Sequence, residues 1–190
     1  LDLGLQPLAN NYIKKNQLNN KHEKYRLKIG VNLKTKLVSI NKPISSKIMF
    51  NNRYPYRSSK SKTMIESFKN LSRLVNKKFK PNKILEIGSN DGSFIKNFSK
   101  KKVIGIEPCS NVEKITKKMG FNTYPKYWNY KTAKQLLKKN GKVNLIYSAN
   151  TISHIKNLDE VFKSINIVLD DHGVFIIEDP SLLECLKKNT

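Results

Sequence analysis

The residue types best suited to chemistry stand together in Glu86-Ile87-Gly88-Ser89-Asn90-Asp91-Gly92. Gly88 and Gly92 permit a turn whose backbone N–H groups approach a ligand closely, and Glu86 and Asp91 set negative charge beside it. A dinucleotide loop uses three glycines to seat a pyrophosphate on a helix N-terminus, and a P-loop uses Gly-Lys-Ser/Thr. Neither pattern is present here. The acids would repel a pyrophosphate and suit a cationic ligand with an amino group or a sulfonium, which points to S-adenosylmethionine (SAM). A further acid, Glu107, followed by Pro108, closes the next apolar run, Val103-Ile104-Gly105-Ile106. That is where an α/β nucleotide fold sets a carboxylate on ribose hydroxyls. A generic βαβ unit with a solvated Glu107 is the alternative.

These residues need a sheet behind them. Ile84, Leu85 and Ile87 between Pro81 and Gly88 suit a strand buried on both faces, and Phe94, Ile95 and Phe98 fall on one face of an expected helix after the turn. Upstream, Met64, Ile65, Phe68, Leu71, Leu74, Val75 and Phe79 recur at helical spacing, with Ser61 or Thr63 as N-cap and Pro81 as the stop. Downstream the pattern predicts a helix 112–119, a strand 121–127, a helix 131–139 and a strand 143–148. A helix 158–169, a turn at Gly173 and a strand 174–178 follow. The expected fold class is therefore α/β, a Rossmann-like doubly wound, mostly parallel sheet with an incomplete core and a small β-rich N-terminal lobe. Residues 1–60 form the lobe and 61–190 the main domain, with Gly88, Glu107, Asn150 and Glu178 at the C-terminal strand ends. In the lobe, Tyr25, Leu27, Ile29 and Val31 alternate with polar residues or glycine, and Leu37 to Ile40 suits a hairpin partner.

At 190 residues with 38% hydrophobic content the chain can bury one good core and a small accessory unit. No run approaches the roughly 18 apolar residues of a membrane span. Cys109 and Cys185 make no metal spacing or disulfide framework, so a cytoplasmic protein with no membrane partner is expected. The net charge of +23 invites a nucleic-acid reading, but only four of the 37 basic residues are arginine and the lysines run along the whole length. A solvated surface with non-specific attraction to polyanions is the expectation, with no specific nucleic-acid partner.

The stretches 144–155, 158–162 and 173–178 resemble class I SAM-dependent methyltransferases, and 84–92 resembles their first motif. More narrowly, Leu1 to Asn10, the Tyr54-Pro55-Tyr56-Arg57-Ser58-Ser59 core of 50–61, and Glu86 to Gly92 resemble the C-methyltransferases of nucleotide-linked 4-keto deoxysugars. The resemblance implies SAM as cofactor and S-adenosylhomocysteine as product. Glu86, Gly88, Ser89, Asn90, Asp91, Gly92, Glu107, Pro108 and Asn150 are then the cofactor-binding residues. It also implies a small-molecule nucleotide-sugar substrate, with a monomer favoured.

The same resemblance suggests that a base removes the proton next to the sugar ketone and that the enolate takes the methyl group. His154, just past the fourth strand of the main domain, is the candidate for moving the proton or orienting substrate; a structural hydrogen bond is the other reading. Tyr54 and Tyr56 are further catalytic candidates unless they pack as aromatics, while Arg57 and Glu178 are candidate substrate contacts. Tyr127 and Trp128 either flank the adenine or belong to the core. Related lobes bind zinc through paired cysteines, but the corresponding positions hold Asn32 and Thr35, so no zinc is expected. The sequence ends before the family's Tyr/Glu/His-rich segment, which suggests a fragment or a reduced relative. A SAM- or sugar-binding remnant without turnover and, further off, a nucleic-acid methyltransferase remain alternatives.

Overall fold

The structure is a computed structural model that describes residues 1–188. Contacts within the chain divide it into two units, with the boundary between Tyr56 and Arg57. In the first unit, Asp2–Pro7 (β1), Lys24–Val31 (β2) and Val38–Ile40 (β3) make an antiparallel sheet in the order β1-β2-β3, followed by the short helix Ser46–Met49 (α1). The expected hairpin is present, with Ile29 opposite Ile40 and Val31 opposite Val38. Asn32 Oδ1 accepts the N–H groups of Lys34 and Thr35 at 2.9 and 3.0 Å, and Thr35 Oγ1 accepts that of Leu37 at 3.3 Å. Asn32 and Thr35 therefore close the hairpin turn by side-chain to backbone bonds.

The second unit begins with the helix Lys62–Phe79 (α2), capped by Ser61, whose Oγ accepts the Met64 N–H at 3.3 Å. Lys80 ends it in a left-handed conformation at φ 45° before Pro81. The chain then enters Ile84–Ile87 (β4), Val103–Ile106 (β5), the helix Ser110–Lys118 (α3), Asn122–Tyr124 (β6) and the helix Tyr130–Asn140 (α4). Val143–Ala149 (β7), the helix Leu158–Val168 (α5), Leu169–Glu178 (β8) and the helix Leu182–Lys188 (α6) complete it. The strands lie in the order β6-β5-β4-β7-β8 and all pair in parallel. The chain winds outward from β4 and then returns to its other side, so a topological switch point lies between β4 and β7.

The period of two splits the apolar residues between two cores. Leu85 and Ile87 face α4 and α5 through Ala133, Leu136, Val161 and Ile165. Ile84 and Tyr147 lie on the opposite face with Phe68 and Val75 of α2 and with Phe94 and Phe98.

Several expectations change. The helix expected over Phe94, Ile95 and Phe98 is a single 3-10 turn, Ile95–Asn97. Asn97 Nδ2 donates to the carbonyls of Ser93 and Phe94 at 3.0 Å, a local competition that ends the turn, while the three apolar side chains are still buried. The strand expected over 121–127 shortens to Asn122–Tyr124 and ends before Pro125, which carries no N–H for a ladder. The turn expected at Gly173 is absent: β8 begins at Leu169 and runs through it, with an irregular register against β7 between Val143 and Leu145.

Phe94 is fully buried, with ring centroids 4.2 Å from Tyr147, 5.0 Å from Phe98 and 6.2 Å from Phe68. Phe94→Ala is expected to cost about 3–5 kcal/mol by lost burial plus the cavity left behind. Urea unfolding measures this, and a change below about 1 kcal/mol would mean that the aromatic cluster is not the keystone of this face.

Candidate cofactor site

The turn after β4 is held by the end of β5. Gly88 and Ser89 both donate their N–H groups to the Ile106 carbonyl, at 2.8 and 2.9 Å, and Gly92 donates to Ser89 O at 2.9 Å. Gly88 has φ 79°, and a Cβ there would lie 2.1 Å from Thr151 Oγ1, so both backbone and neighbour demand glycine. Gly105 in β5 is required by close approach alone: a Cβ would lie 2.7 Å from both Ser89 Oγ and Thr123 Cγ2. Asn90 and Asn150 also adopt positive φ, 46° and 49°, in the turns after β4 and β7.

Three carboxyl groups are buried around this turn: Glu86 at 3% exposure, Asp91 at 5% and Glu107 at 5%. Both Glu107 oxygens are engaged, Oε2 by the Asn90 N–H at 2.9 Å and Oε1 by the Cys109 N–H at 2.8 Å. Each oxygen keeps a lone pair for another donor. Burial raises the Glu107 carboxyl above its ordinary value, opposed by the Cys109 and Asn90 N–H groups and the Arg57 guanidinium. Burial also pushes Glu86 well above its usual range, helped by the negative charges of Glu107 and Asp91 and resisted by the Ile95 N–H. Glu86 Oε2 and Ser89 Oγ are buried without a hydrogen-bond partner. Buried polar atoms of this kind are ones a bound polar ligand or ordered water would satisfy.

Asn90 and Asp91 have structural work as well. Asn90 Oδ1 accepts the Ser58 N–H at 2.9 Å, and the Asp91 oxygens accept the Ser59 N–H at 3.1 Å and the Ser93 hydroxyl at 2.9 Å. The segment that includes Arg57, Ser58 and Ser59 is thereby fastened to the turn. Ser58 and Ser59 have no periodic signal in the sequence, and only tertiary pairing reveals their part. Arg57 brings positive charge to Glu107 and to Cys109, whose thiol burial and the Glu107 carboxylate push strongly upward.

Beyond the switch point, Asn150 donates its N–H to the Glu178 carbonyl at 2.7 Å, and Tyr147 donates its hydroxyl to Glu178 Oε2 at 2.9 Å. Burial, with the Glu178 charge, pushes the Tyr147 phenol strongly upward, so it stays a donor. Tyr147 sits opposite Glu86 in the β4–β7 register and was legible only as a polar atom inside an apolar run. His154 is exposed at the end of the 3-10 turn Ile152–His154, and the adjacent Ser153 hydroxyl donates to Asp179 at 2.7 Å. Gly88, Glu107, Pro108, Asn150, His154 and Glu178 thus share the C-terminal edge of the parallel sheet.

Tyr127 is half-buried near Glu107 and Cys109, and burial followed by the charges of those groups raises its phenol. Trp128 belongs to the core with Leu85 and Ile87, and its Nε1 is buried without a partner. Tyr54 and Tyr56 belong to the first unit, where Tyr54 packs edge-on to Phe50 at 5.4 Å and Tyr56 is 46% exposed.

A winding of this order with a glycine turn and buried acids at its C-terminal edge defines a cofactor-binding α/β domain. The chain belongs to the methyltransferase-domain family, whose profile matches residues 59–188. A C-methyltransferase, NovU of Streptomyces niveus, is 28% identical over 108 residues, covering 56% of this chain and 26% of that protein. The plantazolicin methyltransferase BpumL in complex with SAH shares the fold at a TM-score of 0.54 and 16% identity, over 68% of this chain and 53% of its own. The PH0226 protein from Pyrococcus horikoshii OT3 shares it at 0.53 and 20% identity, over 70% and 62%. The chain therefore spans about a quarter of the curated relative it matches and about half of the first of these structures.

The raised Glu86 carboxyl has a signed consequence. Above the ordinary carboxylate range the unfolded chain releases this proton while the folded chain keeps it, so stability is lost as pH rises towards the folded value. Glu86→Gln is expected to remove this contribution, at about 1.4 kcal/mol for each pH unit over which the proton difference persists. Urea unfolding of both proteins between about pH 4.5 and pH 8 tests it. Parallel pH profiles would show that Glu86 is ionised in the fold.

Proposed function

We propose that this chain carries the cofactor-binding part of a SAM-dependent methyltransferase that methylates a carbon of a nucleotide-linked keto-deoxysugar. The observation that carries the cofactor reading is the glycine turn ringed by Glu86, Asp91 and Glu107, with Glu86 Oε2 lacking a partner. Negative charge and an unsatisfied acceptor fit the ammonium, the sulfonium and the hydroxyl donors of SAM. The 28% identity to a C-methyltransferase and the motifs at 1–10, 50–61 and 86–92 support the substrate class.

SAM supplies an electrophilic methyl group on a sulfonium, which a carbon nucleophile takes in line with the sulfur. Gly88 and Gly92, at φ 79° and 82°, set the shape of the turn, and Ser89, Asn90 and Asp91 line it. Glu107 uses its remaining lone pairs for ribose hydroxyls beside Pro108, while Asn150 shapes the opposite wall. Glu178, steadied by the Tyr147 hydroxyl, contacts the sugar, and His154 moves the α-proton or orients the ketone. Arg57 serves substrate and also tempers the charge of Glu107. Holding the reactants in attack geometry is worth up to about 7–11 kcal/mol, which makes these positioning contacts as important as the base.

Calorimetric titration with S-adenosylhomocysteine tests the cofactor assignment. Binding in the micromolar range is expected, equivalent to about 8 kcal/mol, and Gly88→Asp should abolish it while circular dichroism shows the fold retained. A folded wild-type chain that does not bind would sink the assignment. Binding without methyl transfer to any nucleotide-linked keto-sugar would favour a non-catalytic binding protein.

A further inference from the structure

Nine of the chain's lysines are gathered by the fold at one edge of the parallel sheet. In a parallel sheet with crossover helices, strands begin and helices end at one edge, opposite the edge that holds the glycine turn. Each of the three helices that lead into β4, β6 and β7 carries a lysine pair in its last turn: Lys77 and Lys78 in α2, Lys117 and Lys118 in α3, Lys138 and Lys139 in α4. β5 is entered through a triplet, residues 100–102. All of these lysines are exposed. Cations at helix C-termini complement the helix dipole, but that field amounts to only about half a charge per helix.

Very little neutralises the remainder. Among the described residues, only Lys117 of these lysines is ion-paired, with Glu113 at 3.3 Å. Asp170 and Asp171 lie at the start of β8, where Asp171 pairs with Lys142 at 2.5 Å. Lys78, Lys100 and Lys139 lie over the rings of Phe79, Phe121 and Tyr124 at 5.0–5.7 Å, contacts that leave their charge in place.

We propose that this edge is a docking face for anionic lipid headgroups, holding the domain on a membrane surface with its glycine turn on the far side. Two observations favour a lipid surface over a nucleic acid. The pairs come from helices on opposite faces of the sheet, since α2 packs through Phe68 and Val75 with Ile84 and Phe94, and α4 through Ala133 and Leu136 with Leu85 and Ile87. The charge thus extends through all the layers, over about 20 Å, and matches a two-dimensional array of headgroups better than one line of phosphates. Every residue in these pairs and in the triplet is lysine, a compact hydrated charge without the planar fork that reads individual phosphates and bases. Attraction of this kind is additive over lysines near the surface and is screened by salt. Among the described residues no helix is long and apolar enough to cross a membrane, so such docking would be peripheral.

Vesicle co-sedimentation of the whole chain at about 0.1 M salt tests this, with phosphatidylcholine vesicles against vesicles containing about one third phosphatidylglycerol. The edge variant is Lys78→Gln, Lys101→Gln, Lys118→Gln and Lys138→Gln; the control of equal charge is Lys15→Gln, Lys21→Gln, Lys34→Gln and Lys42→Gln. The wild type and the control should sediment with the anionic vesicles only, and the edge variant should bind at least about tenfold more weakly with an unchanged circular dichroism spectrum. Equal loss in both variants, no binding by the wild type, or equal binding to neutral vesicles would overturn the proposal. Edge-dependent binding to a short DNA duplex tighter than to the anionic vesicles would also overturn it, by naming nucleic acid as the partner.

Discussion

The structure of the second unit depends on the bond set between the end of β5 and the turn after β4. One carbonyl, Ile106 O, receives two successive N–H groups, and one carboxyl, Glu107, receives the N–H groups of Asn90 and Cys109. These few contacts fix the conformation of the turn without a long helix behind it, because the segment from Phe94 to Phe98 makes only one 3-10 turn. The buried rings of Phe94 and Phe98 replace the missing helix by packing the segment onto α2 and Tyr147. Hydrogen bonding sets the shape of the turn and apolar burial keeps it in place.

That arrangement leaves the turn electrostatically loaded. Three buried carboxyl groups near one another disfavour simultaneous ionisation, and Glu86, with one oxygen unpartnered, bears the largest burden. The cost to the unliganded fold is the counterpart of an affinity for a ligand that brings positive charge and hydrogen-bond donors. Glu107 is moderated by two N–H groups and by Arg57, so it holds the turn and still has capacity to accept from a ligand. Beyond the switch point, the Tyr147–Glu178 bond ties β7 to β8.

The two edges of the sheet collect different residue types, and for the lysines the reason is topological. The edge where strands end collects Glu86, Asp91, Glu107 and Glu178, and the edge where helices end collects the lysine pairs. Small-molecule chemistry at one edge and attachment at the other would then not compete for surface. The winding of the chain therefore gathers nine lysines of a sequence that presents its basic residues as evenly spread.

The sequence by itself determined the elements whose signal is local. Short apolar runs with glycine and proline punctuation predict β4, β5 and β7 within a residue or two, and period 3.6 with Ser61 as cap predicts α2. The acids and glycines of the cofactor turn were legible because their chemistry is carried by residue type and spacing. What the tertiary structure decided is what depends on partners distant in the chain. Ser58 and Ser59 reach Asn90 and Asp91 across about thirty residues, Thr151 adds a close approach to the positive φ that already requires glycine at position 88, and Trp128 is claimed by the core. The 3-10 turn at Ile95–Asn97 and the gathering of lysines at one edge are of the same kind. Local periodicity reports which face of an element is apolar; burial, charge and close approach are properties of residues that only the fold brings together.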